Sequence, residues 1–229
     1  MTDENREAIE VLLADRELLY SLLHKMVGRD PDPEMLDVLF SPAVCDAFRI
    51  LSTEPGDAME QAAGFLENWR EEKRGQEALD EIRAEYVRTY IGPGKLPAPP
   101  WESVYFGEDS VLFQECTLKV REAYRTFDLL PAGYPHVPDD SLALELGFLA
   151  ELARRSCSAF AEGNNVKLEK DLTGSQNFLT GHLLVWMPRY LERMDLVKTK
   201  LFYPQMSAYL FEFLKRDREI LDEILSCYN

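Results

Sequence analysis

Residues 91–106, IGPGKLPAPPWESVYF, place the tightest limit on what this chain can fold into. Pro93, Pro97, Pro99 and Pro100 each lack a backbone N–H and fix φ, and Gly92 and Gly94 loosen the backbone beside them, so neither a helix nor a central strand persists there. The stretch also carries Trp101, Tyr105 and Phe106, rings that a freely solvated linker rarely holds. It is expected to be an extended, polyproline-like wall packed against whatever flanks it.

What flanks it reads as helix. Ile9, Leu12, Leu13, Leu19, Leu22, Leu23 and Met26 recur at helical spacing, and Gly28 stands where a C-terminal glycine cap would lie. Asp32-Pro33 and Ser41-Pro42 each put a capping side chain before a proline at the first helical position, which predicts two short helices through about residue 51. Thr53 and Pro55 are read as opening the next. Residues 57–72 and 76–90, with Phe65, Trp69, Leu79, Ile82 and Tyr86 as apolar positions, predict two more helices broken near Gly75. Beyond the proline segment the pattern resumes over 110–128, breaks from Pro131 to Pro138, and returns over 140–162, 165–193 and 200–226. No run alternates with period two, so the expected class is all-α. With 229 residues and 46% hydrophobic content there is enough for one core, and residues 1–229 are read as a single helical domain whose halves are divided by the 91–106 connector. A monomer and a dimer that exchanges helices across that connector both fit.

Lys and Arg total 25 against 41 Asp and Glu, a formal net charge of -16. Such a field repels nucleic-acid phosphates and favours cationic peptides. The segment MTDENREAIE has no apolar signal core, and no run of about 18 apolar residues occurs, so a soluble protein without stable membrane insertion is expected. Cys45, Cys116, Cys157 and Cys227 form no CxxC, and His24, His136 and His182 stand apart, so neither disulfides nor a metal cofactor is expected. No phosphate loop, HExxH pair or nucleophile elbow is present, and Ser103 has no neighbouring histidine in sequence.

Three groups of residues remain as candidates for function. The first is the proline segment with its approach, Tyr86, Tyr90, Trp101, Ser103 and Tyr105, where stiff backbone and aromatic rings suit a wall of a peptide groove and equally a rigid cover of the core. In the second, Asp139 or Asp140 reads as an N-cap, while the other aspartate and Glu145, inside the stripe of Leu142, Leu146, Leu149 and Ala153, need a cationic or hydrogen-bonding partner from the core or from a ligand. The third is the face Phe178, His182, Trp186, Tyr190, with Pro188 placed to bend its helix; His182 reads as a packing histidine.

These motifs together make the chain resemble the TorD/DmsD family of redox-enzyme maturation chaperones, the NarJ-like superfamily. The most specific part is Glu85-Tyr86 through Tyr90, Gly92-Pro93 and the run Leu96-Pro97-Ala98-Pro99-Pro100-Trp101-Glu102-Ser103-Val104-Tyr105. Pro138-Asp139 leading into Leu144-Glu145-Leu146-Gly147-Phe148, the stretch His182 to Pro188 and the early Arg16-Glu17-Leu18-Leu19-Tyr20 support it. The resemblance implies an all-helical, cytoplasmic chaperone that does no chemistry and needs no cofactor. It would bind the twin-arginine signal peptide of a molybdopterin oxidoreductase's catalytic subunit until the enzyme is ready for export. Tyr86, Tyr90, Trp101, Ser103 and Tyr105 would then contact the peptide, and Asp139, Asp140 and Glu145 would receive its arginines. One departure is that relatives commonly have Asp-His where this chain has Asp139-Asp140. A family member serving a non-exported metalloenzyme is the alternative, and a hydrolase working through Asp139, Asp140 or Glu145 is a third reading.

Overall fold

The computed structural model describes residues 2–72, 75–106, 115–131, 137–197 and 202–228. In order, its helices are α1 (Asp3–Gly28), α2 (Pro33–Leu39), α3 (Pro42–Leu51), α4 (Ala58–Glu72), α5 (Gln76–Tyr86), α6 (Glu115–Thr126), α7 (Leu142–Ala161), α8 (Asn165–Phe178), α9 (Leu184–Met194) and α10 (Tyr203–Ser226). Strand-like pairing among the described residues is confined to one antiparallel bridge, Trp101 to Ser141, so the fold is all-α. Residues 110–114 of one expected helix, residues 200–201 of another and His136 lie outside the described residues. No helix among the described residues is long and apolar enough to cross a membrane.

Side-chain oxygens set most helix starts, each accepting one of the N–H groups that a first turn leaves without a partner. Asp32 accepts from Met35 N–H at 2.7 Å and Ser41 from Val44 N–H at 3.4 Å, as the Asp-Pro and Ser-Pro pairs predict. Two starts differ from expectation. α4 is capped by Asp57, not opened at Thr53 and Pro55: its carboxylate accepts from Met59 and Glu60 N–H at 3.0 Å and from Thr53 N–H at 2.8 Å. α7 is capped by Ser141, which accepts from Leu144 N–H at 3.3 Å, and this releases both Asp139 and Asp140 from the capping role.

α1 lies along α7 in the most extensive helix pairing of the molecule. Leu13, Leu19, Leu23 and Met26 on one side and Leu142, Leu146, Leu149 and Leu152 on the other are buried there, each contributing about 1.5–3 kcal/mol. The backbones approach closely because a side chain is missing: a Cβ on Gly147 would sit 2.9 Å from His24 Nδ1. Gly28 serves the same contact, 3.0 Å from Ala143 Cβ, rather than acting as the expected left-handed cap; α1 ends in extended backbone at Arg29. α10 crosses beneath, packing on α9, α8, α4 and α1. The expected single helix over 165–193 is α8 and α9 joined by a π-helical turn, Leu179–Leu183, a turn ahead of Pro188. A second π-helical turn, Val87–Ile91, carries α5 into the proline segment. Widened turns of this kind rotate the helix faces that follow them. Here they lead into the Pro-rich loop and into the aromatic face of α9.

Candidate functional site

The proline segment docks on the start of α7 through its backbone. Leu142 N–H donates to Pro100 O at 2.9 Å and Glu102 N–H to Asp140 O at 3.0 Å, which forms the Trp101–Ser141 bridge. A short 3₁₀ turn, Glu102–Tyr105, follows and is buried throughout. Asp140 holds that turn from below: one carboxylate oxygen accepts Ser103 N–H at 2.8 Å and the other the Thr117 hydroxyl at 3.0 Å. Asp139 takes two hydrogen bonds from Arg121, at 2.6 and 3.0 Å, and its carbonyl accepts from Tyr124 Oη at 2.9 Å. Tyr105 stacks on Trp186 with centroids 5.4 Å apart, donates to Pro99 O at 2.8 Å, and lies under the Arg193 guanidinium at 4.7 Å.

Beneath the turn is a second carboxyl cluster. Trp186 Nε1–H donates to Glu145 Oε2 at 3.0 Å, and Glu102 Oε2 lies 2.9 Å from His182 Nδ1. Because a carboxylate only accepts, that His182 nitrogen carries the proton of the bond. Glu145 is fully buried, and burial, followed by the charge of Glu102, pushes its pKa well above the usual carboxylate range. Burial thus favours its protonated, neutral form. The folded protein keeps this proton while an unfolded chain releases it around the ordinary 4.5. Stability from this group is thus complete below pH 4.5 and falls as pH rises toward the folded pKa, with a limiting slope of about 1.4 kcal/mol per pH unit. Glu145→Gln reproduces the neutral acid, so its melting temperature should match the parent at low pH and exceed it at pH 8. A variant that melts below the parent throughout would show an ionised Glu145.

In front of this cluster lies a groove of about 330 Å³ between the end of α1, the end of α5, the proline segment and the start of α7. Tyr86, Tyr90, Pro100, Trp101 and Leu144 line it, together with His24, Lys25 and Arg29, and among the described residues no carboxylate does. Tyr90 is fixed through its hydroxyl, 3.1 Å from that of Tyr190, and His24 through Nδ1, 2.6 Å from Ala143 O. The structure thus brings Tyr86, Tyr90 and Trp101 together in the groove lining, the two tyrosines buried and Trp101 half-buried, while Ser103, Tyr105, Asp139, Asp140 and Glu145 are buried and outside that lining. His24, Lys25 and Arg29 join the groove although no motif pointed to them; the sequence trace they leave is an i, i+4 basic pair at the end of an otherwise amphipathic helix. Glu102 and Arg121 are likewise essential to the geometry, and only their tertiary partners show it.

The site is thus an apolar, stiff-walled groove between helices of an all-α fold, closed on one side by a polar-latched loop. The chain belongs to the family described as nitrate reductase delta subunit, whose sequence pattern matches residues 51–192. It is 28% identical over 146 residues to "Chaperone protein TorD" of Vibrio atlanticus, a match covering 64% of this chain and 66% of that one, just under two thirds of the relative's length. A Psychrobacter "Chaperone protein TorD" is 27% identical over 186 residues, covering 80% of each chain. The "Probable Tat proofreading chaperone DmsD" of Haemophilus influenzae is 27% identical over 135 residues, covering 59% of each. An Archaeoglobus fulgidus structure described as a redox enzyme maturation protein aligns over 90% of this chain and 93% of its own, at 19% identity and a TM-score of 0.43.

Proposed function

We propose that this chain is a cytoplasmic redox-enzyme maturation chaperone that holds the twin-arginine leader of its client's catalytic subunit in the Trp101 groove and performs no chemistry. The observation that carries the reading is the groove itself: aromatic and proline walls, held rigid by the Asp140 and Glu102 bonds behind them, open toward α1. The names of the relatives, two chaperones and a Tat proofreading chaperone, support it. The apolar stretch of the leader takes the groove, where a preorganised wall costs little entropy on binding.

Trp101, half-buried on the groove wall, is the principal contact residue in this account, with the buried rings of Tyr86 and Tyr90 lining the groove beside it; Ser103, Tyr105, Asp139, Asp140 and Glu145 do not line the groove and are positioning residues. The leader's arginines are received instead by the exposed Asp30 and the half-buried Asp32, which follow the groove residue Arg29 in the chain; Asp32 keeps one carboxylate oxygen on the Met35 N–H. These now pair with Arg83 at 3.8 Å and Arg29 at 3.2 Å, weak surface bridges that an incoming guanidinium exchanges readily. Calorimetric titration with the leader of a neighbouring oxidoreductase gene tests this. Trp101→Ala should weaken binding by about 2 kcal/mol or more, the loss typical of a buried aromatic anchor, with helicity unchanged. Undiminished affinity in a folded Trp101→Ala protein would remove the groove from the account, and a client without such a leader would point to a non-exported metalloenzyme.

A further inference from the structure

Beneath the proline segment, acids outnumber cations. Glu102, Asp139, Asp140 and Glu145 are all buried around one 3₁₀ turn, each at 3% exposure or less. Arg121 answers Asp139, and His182 answers Glu102. Asp140 has two neutral donors, Ser103 N–H and the Thr117 hydroxyl. Glu145 is left with the indole N–H of Trp186 on Oε2, and its Oε1 is buried without a hydrogen-bond partner among the described residues. One neutral donor does not offset the cost of a carboxylate charge in the interior, and a second acid beside it raises that cost.

The elements packed around Glu145 pair it with no cation among the described residues. α6 contributes Tyr124, whose hydroxyl is spent on Asp139 O at 2.9 Å, and Cys116, whose thiol burial pushes up to about 11, while Arg121 is held by Asp139. α9 brings Arg189 and Arg193 to the turn, but the first donates to Tyr105 O and the second covers the Tyr105 ring at 4.7 Å. α1 brings His24, whose ring lies against Gly147 and whose Nδ1 is 2.6 Å from Ala143 O. α8 brings the uncharged ring of Phe178, 4.7 Å from that of Phe148. Protonated, Glu145 packs under the turn with no charge to oppose Glu102. Ionised, it sets a second negative charge against Glu102, whose neighbour in the chain is Trp101.

We infer that Glu145 is a proton-operated latch: with its proton on, the Glu102–Tyr105 turn stays seated and the Trp101 wall stands, and with it off the turn lifts and the wall loosens. Leader binding and proton binding then favour each other, since each prefers the seated turn. This regulation of the groove rests on the leader reading above, whereas the latch itself does not.

Hydrogen exchange of the free protein, normalised to the intrinsic rate at each pH, reads the latch without a leader. From about pH 7 to about pH 9, protection of residues 101–106 should fall at least roughly tenfold with α10 still protected. Glu145→Gln, which has no proton to release, should keep its protection constant. His182→Gln, whose amide still donates to Glu102 but does not titrate, should behave like the parent. Calorimetry should show leader affinity dropping at least roughly threefold over the same range in the parent and not in Glu145→Gln. Constant protection in the parent, equal loss in α10, a response that survives in Glu145→Gln, or one that vanishes in His182→Gln would each overturn the latch. If Glu145→Gln does not fold, the parent and His182→Gln decide. A leader that binds the parent at neither pH counts against the groove reading alone, and a turn that loosens while leader affinity holds overturns the regulation.

Discussion

Asp217→Ala is expected to remove about 3–5 kcal/mol of folding stability, because it breaks a buried ion pair and leaves one partner behind. Asp217 on α10 and Arg16 on α1 are both fully buried and joined through two hydrogen bonds, and Tyr20 Oη donates to the same carboxylate at 2.6 Å. Burial alone would lower the pKa of Arg16; the Asp217 charge and hydrogen bond override it and raise it. Removing Asp217 leaves a guanidinium in the core with no counter-charge, and the loss measures that abandoned charge rather than the worth of the pair. Urea denaturation separates the two. The double variant Arg16→Met with Asp217→Leu should regain most of the single variant's loss, because it buries neither charge. If Asp217→Ala shifts the unfolding free energy by less than about 1 kcal/mol, water reaches this site and the bridge is not the α1–α10 tie described here.

The second large effect is expected at Asp140. Its carboxylate takes a backbone N–H of the 3₁₀ turn and the Thr117 hydroxyl of α6, both buried. Hydrogen bonds to charged groups contribute about 1.5–3 kcal/mol each, and they are not fully additive, so Asp140→Ala should cost about 3 kcal/mol. Asp140→Asn should cost less, since an amide offers an acceptor to Ser103 N–H and a donor to Thr117. The Ala variant should also weaken leader binding without touching the peptide, because Pro100 and Trp101, the wall of the groove, hang from the same junction. Thermal unfolding and calorimetry on both variants check this. A stable Asp140→Ala protein with weakened binding would instead return Asp140 to the contact surface.

The elements were legible wherever local chemistry writes them. Asp32-Pro33, Ser41-Pro42, the apolar stripe of α1 and the run of prolines at 93–100 each act within a few residues, and each appears as expected. Gly28 was misread because a glycine at a helix end has two uses, and only the partner helix, with Ala143 opposite, selects between them. The carboxylates were legible as residues that need partners, but not which partners. Arg121 lies 18 positions from Asp139, Trp186 41 from Glu145 and His182 80 from Glu102. That separation is why acids behind a wall and acids on its face look alike in one dimension, and why Ser141, the true cap of α7, was hidden beside two better-known capping residues.

The account rests on the Trp101 groove as the seat of the leader, and hydrogen exchange with and without the bound leader tests this most directly. Slowed exchange should concentrate at the end of α1, in residues 86–106 and at the start of α7, with α8 and the outer part of α10 unchanged. Protection appearing instead along α8, or nowhere in residues 86–106 despite saturating leader, would contradict it.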